Sequence, residues 1–138
     1  MSMRLEKSWG AWTMDFRPDF NLIESGLDFF VDWDKDFVGK KAALEDKKNG
    51  PRKKLSVIEI DTEIDVSGDE AVMHNGECVS YITSGGYGHS VEKSLAMTYL
   101  PVELIDSSTE LEVEILGVFY KASIVMKPLY DPSGSKMR

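Results

Sequence analysis

The chain has 138 residues, 42% of them hydrophobic and 29% charged, which sets it apart from disordered chains and allows one packed domain with at most a short appended segment. Twenty-four acidic against 16 basic side chains give a net charge of -8, so a nucleic-acid-binding surface, which needs surplus cations, is not expected. One cysteine excludes an internal disulfide and suits a cytoplasmic setting; no apolar run approaches the ~18 residues of a membrane span, and the N-terminus lacks a signal-peptide core, so no membrane partner is expected.

Charge falls in blocks. Residues 15–39 carry a net -5, residues 40–54 a net +5 and residues 55–115 a net -12. Such blocks first imply solvated faces. Residues 4–14 are aromatic and irregular. There Arg4, Trp9 and Trp12 could set flat rings beside a fixed cation, an arrangement suited to an aromatic ligand. Phe29, Phe30 and Trp33 follow at near-helical spacing and are expected in the core. Asp36 is placed to cap a helix over 37–48 with lysines in its last turn. Asn49-Gly50-Pro51 then ends the helix and marks a boundary between 1–50 and 51–138.

Beyond Pro51 the pattern changes to strands, predicted at 55–61, 71–74, 77–83, 95–100, 110–116 and 118–126. Asn75-Gly76 is a strong hairpin signal, and Gly117 allows a second tight turn. Residues 110–116 alternate Glu110, Glu112 and Glu114 with Leu111, Val113 and Ile115, as a half-buried strand does. The expected fold class is α+β, mainly an antiparallel barrel or sandwich after a short α-containing segment.

Chemical motifs are sparse. His74 and Cys78 straddle the Asn75-Gly76 turn and should face opposite sides, so no metal site is expected. Cys78 reads as a small buried strand residue. The run Thr83-Ser84-Gly85-Gly86-Tyr87-Gly88-His89-Ser90 has neither the lysine nor the following helix of a phosphate loop. It reads as a wide loop, with Tyr87 and His89 available for a ligand edge or an interdomain contact.

An ordered string of segments carries more information. Arg4-Leu5-Glu6-Lys7-Ser8-Trp9-Gly10-Ala11-Trp12 precedes Leu22-Ile23-Glu24-Ser25-Gly26-Leu27 and Lys35-Asp36-Phe37-Val38-Gly39-Lys40. Then come the glycine run through Lys93-Ser94-Leu95-Ala96 and, last, Lys127-Pro128-Leu129-Tyr130-Asp131-Pro132. This order resembles the C-terminal part of the glycine cleavage T-protein (aminomethyltransferase) family. The Tyr87-Gly88-His89 and Tyr130-Asp131-Pro132 forms are most similar to the folate domain of dimethylglycine and sarcosine dehydrogenases.

The resemblance implies a Greek-key barrel at 51–138, with 1–50 as the tail of a folate-binding α/β part. It also implies tetrahydrofolate as cofactor and transfer of a one-carbon unit from an amine to folate. The family's catalytic aspartate and pterin-pairing glutamate belong to its N-terminal part, and Met1-Ser2-Met3 is read as a new start. No catalytic residue is therefore assigned here, and the chain is expected to be incomplete as a catalyst. By the same resemblance Arg4 and Trp12 are the cofactor-binding candidates, while Glu6 and Glu24 are read as structural. Folate and a methylated-amine substrate would meet the chain through the N-terminal part. Self-association or a partner subunit is also expected, since an interdomain surface would be bare. Two alternatives stand beside this reading: a stand-alone barrel module binding a separate enzyme subunit, and part of a folate-dependent O- or S-demethylase.

Overall fold

The computed structural model describes residues 2–137; Met1 and Arg138 lie outside them. A short helix, α1 (Ser2–Glu6), opens the chain, and α2 (Lys40–Asn49) precedes the strands. Six strands follow: β1 (Lys53–Ile60), β2 (Ala71–His74), β3 (Glu77–Gly88), β4 (Lys93–Pro101), β5 (Leu111–Ile115) and β6 (Val118–Val125). They close into one antiparallel barrel in the order β1–β4–β3–β2–β5–β6, with β6 returning to β1. The antiparallel barrel expected from the strand pattern is thus present, preceded by a segment with little helix.

The apolar pattern explains the closure. Ile58, Val72, Ile82, Ala96, Leu100 and Val113 are each fully buried and fill the interior. On β5, Leu111, Val113 and Ile115 point inward and Glu112 outward, as the alternation requires. A second core lies outside the barrel wall. There Leu5 of α1 packs with Val57, Leu95 and Met97. The N-terminal segment straps the barrel, and β4 is buried on both faces from Ser94 to Leu100. That accounts for its run Leu95-Ala96-Met97-Thr98-Tyr99-Leu100, which does not alternate.

Both hairpin turns form. Asn75 and Gly76 adopt φ of 50° and 80°, and Leu116 and Gly117 adopt 52° and 81°. Two left-handed residues in succession match the right-handed twist of the flanking strands.

Four expectations need correction. First, α2 begins at Lys40, not at 37, and Asp36 does not cap it. The cap is Gly39 at φ 88°, with no side-chain hydrogen bond. The Lys40 amide instead donates to Phe37 O in a preceding turn. Second, Phe29 and Phe30 are 69% and 60% exposed. They occupy a single turn of tight helix, Asp28–Phe30, with no buried residue. Third, Cys78 is exposed. It lies at the hairpin end beside β2, before β3 begins pairing with β4 at Ile82. Fourth, the glycine run is strand, not loop. β3 continues through it, and Gly85, Gly86 and Gly88 pair with Ala96, Leu95 and Lys93. Glycine is needed because other backbone comes close. A Cβ on Gly85 would lie 2.6 Å from Val66 O.

Candidate functional site

The acid with the most contacts between strap and barrel is Asp15. It is fully buried in the loop after Trp12. Its Oδ1 accepts hydrogen bonds from the Thr83 and Ser84 hydroxyls, the latter at 2.7 Å. Its Oδ2 accepts from the Ala11 amide at 2.8 Å and from Arg4 Nη1 at 2.9 Å. Adjacent strand residues ordinarily face opposite sides. Here the β3–β4 register shifts between Ile82 and Ser84, and this bulge lets Thr83 and Ser84 reach the same carboxylate.

Tyr99 completes the network from β4. Its single hydroxyl proton goes to Asp15 O at 2.9 Å, so Ser25, also at 2.9 Å, must be the donor to Tyr99. Phe20 stacks on the Tyr99 ring with centroids 3.5 Å apart. Burial is the main cause raising the Tyr99 phenol above its ordinary value; the Ser25 hydrogen bond opposes it and the Asp15 charge reinforces it.

Arg4 thus faces inward. Beyond Asp15, its Nη1 reaches Trp9 O at 3.2 Å and Met97 Sδ at 3.4 Å. Its Nε and Nη2 are buried and have no hydrogen-bond partner among the described residues. Trp12 turns the other way. It is 77% exposed and meets Phe16 edge-on, with centroids 5.8 Å apart. The two residues therefore sit on one short strap but on different sides of it. Trp9, half exposed, stands edge-on to Phe30 at 5.7 Å and continues the aromatic surface.

A cleft of about 330 Å3 opens between this strap and the barrel. Trp9, Phe16 and Phe29 form one wall, and Leu55, Val57 and Val125 the other. Met97 lines it, with Arg4 directly behind. Neither Arg4 nor Trp12 is among its lining residues.

Glu6 and Glu24 are buried and serve the backbone. Glu6 Oε1 accepts from the Ser90 amide at 2.7 Å, and Glu24 Oε2 accepts from the Asn21 amide at 3.1 Å. His74 lies far along the hairpin and bonds Glu110 O through Nδ1 at 2.8 Å. Tyr87 and His89 meet edge-on at 5.2 Å, beside Glu63 and Asp65. No group of three potential metal-ligating side chains occurs among the described residues. Asp15 is the residue that sequence reasoning missed. Its only signal is an acid between Met14 and Phe16, in a stretch without periodicity.

A closed six-stranded antiparallel barrel, strapped by an N-terminal segment through a buried Arg–Asp pair, defines a class of small β-barrel domains. The chain belongs to the family of the glycine cleavage T-protein C-terminal barrel domain, whose model matches residues 53–131. Human mitochondrial dimethylglycine dehydrogenase is 40% identical over 142 residues, covering 99% of this chain and 16% of that protein. The aminomethyltransferase of Synechocystis sp. is 34% identical over 131 residues, covering 94% of this chain and 35% of that protein. The crystal structure of glycine cleavage system aminomethyltransferase T from Bartonella henselae superposes with a TM-score of 0.87 at 29% identity, covering 95% of this chain and 38% of that one. The chain therefore spans well under half the length of these relatives. No described helix is long and apolar enough to cross a membrane, and some of the matched relatives are mitochondrial proteins.

Proposed function

We propose that this chain is the barrel portion of a tetrahydrofolate-dependent one-carbon transferase of the aminomethyltransferase or dimethylglycine dehydrogenase kind, and that it does not complete the reaction alone. The supporting observation is how its buried acids are used. Asp15, Glu6 and Glu24 each spend carboxylate oxygens on hydrogen bonds that hold the strap together. Among the described residues, no acid or histidine lines the cleft beneath the strap. Proton transfer at a reacting amine needs a positioned acid or base within hydrogen-bond reach. In this reading it comes from a part of the enzyme outside these 138 residues.

The strap suits a flat heteroaromatic cofactor. Trp12 offers an exposed ring, and the Arg4–Asp15 pair behind it holds the strap in place. Tetrahydrofolate, when bound, supplies the nitrogens that accept the one-carbon unit. Trp12 would stack on its ring, and Arg4, turned inward onto Asp15, would fix the strap that carries Trp12.

The test is a titration of the chain with tetrahydrofolate under reducing conditions, read by tryptophan fluorescence. Saturable quenching is expected, lost in Trp12→Leu and weakened in Arg4→Lys, which removes the planar fork that holds the strap to Asp15. Fluorescence unchanged up to the solubility limit would contradict the folate contact.

A second reading, a barrel module that docks on a separate enzyme subunit, is favoured by the aromatic surface of Trp9, Trp12, Phe29 and Phe30. Large exposed rings gathered on one strap are unusual for a surface that stays in water.

A further inference from the structure

The cleft beneath the strap carries more information than its apolar walls. The whole chain has eight more acids than bases, and two of the other large surface depressions are lined mainly by acids. The one at the β5–β6 end is lined by Glu59, Asp61, Glu110 and Glu112 with one base, Lys121, and the one beside His89 by Glu63 and Asp65; a further one, at the start of α2, has Lys40 and Lys41 with Asp36. Beneath the strap the sign reverses. Among the described residues, its ionisable lining residues are Lys54, on β1, and Lys127, just after β6. Neither lysine has an ion-pair partner among the described residues. Ser8, also lining the cleft, keeps a buried hydroxyl with no hydrogen-bond partner among those residues. Buried hydroxyls are ordinarily satisfied, so an unpaired one beside a cavity marks a place for a polar atom.

We infer that this cleft binds a small amphipathic carboxylate, with a flat apolar ring system against Trp9, Phe16 and Met97 and its anionic end at Lys54 and Lys127. The volume, about 330 Å3, falls at the lower end of small-molecule sites and fits one or two fused rings with a short polar arm. Apolar burial supplies attraction without direction. Two lysines with no acid beside them in the lining, on a chain of net charge -8, supply selectivity for the anion. The inference does not rest on the folate reading, because Arg4 and Trp12 lie off the cleft.

The test uses naphthalene-2-carboxylate and its uncharged isostere naphthalene-2-carboxamide as probes, with 1H–15N spectra of the whole chain as readout. The carboxylate should bind saturably and shift the Trp9 indole and the Leu55, Val57 and Val125 amides. It should bind about tenfold more tightly than the amide, as a charge-assisted contact predicts. The double variant Lys54→Gln/Lys127→Gln should remove that preference. Both lysines are exposed, so the spectrum without ligand should otherwise keep its dispersion. Equal affinity for the two probes, unchanged preference in the double variant, perturbations centred elsewhere, or no saturation up to the solubility limit would each overturn the inference.

Discussion

Asp15 shows how one side chain can hold two parts of a molecule together. Four donors converge on its carboxylate and one on its carbonyl, from the strap, β3 and β4. Removing the acid strands Arg4 largely buried and leaves the Thr83 and Ser84 hydroxyls without it. Asp15→Ala should cost about 3–5 kcal/mol in urea unfolding, as for other half-broken buried ion pairs. The exposed Arg17–Asp19 pair, at 2.9 Å, should yield less than about 1 kcal/mol by the same measurement. Tyr99 belongs to the same network and gives it a pH limit. Its folded-state pKa is raised, mainly by burial, so the stability it contributes is complete below its ordinary value of 10.0 and falls as pH rises above that. Urea midpoints should therefore drop from pH 9 to pH 11. Tyr99→Phe should be less stable than wild type at pH 7 but should show a shallower alkaline decline. An equally steep decline in the variant would refute the assignment.

At the scale of elements, the strands were legible and the strap was not. Alternation at 110–116 and the Asn75-Gly76 signal depend on local chemistry, which a sequence carries directly. The glycine run misled because its glycines do not make a turn. They let Val66 lie against β3, and that approach is non-local. Gly85→Ala should therefore destabilise by about 1–3 kcal/mol although its φ is not left-handed, since the new methyl meets backbone. The opposite prediction holds at Leu116, which sits at φ 52° and is 94% exposed. Leu116→Asn would copy the chemistry of the first hairpin and should stabilise by about 0.5–1 kcal/mol, seen as a higher denaturation midpoint. The helix α2 has no buried residue, so no apolar stripe marked its start at Lys40. Its amides should exchange with deuterium far faster than those of β4, whose residues from Ser94 to Leu100 are buried. Arg4 and Trp12 were named from resemblance. The inward turn of one and the outward turn of the other depend on Asp15, which no periodicity revealed.

Across the whole molecule, the barrel is closed and the strap exposes aromatic rings. Burial of one such side chain contributes roughly 1.5–3 kcal/mol, so a patch of four can drive association. Light scattering should show mass rising with concentration, and Trp12→Ser/Phe29→Ser should abolish the rise. A constant monomer mass at all concentrations would remove this expectation. The central claim is that these residues shape one side of a one-carbon transfer site while the proton-transferring group lies in another part of the enzyme. The most direct measurement is turnover of an aminomethyl or methylamine donor by these 138 residues with saturating tetrahydrofolate. Transfer no faster than the protein-free background is predicted. Sustained turnover above it, abolished by substituting a residue of this chain, would contradict the account.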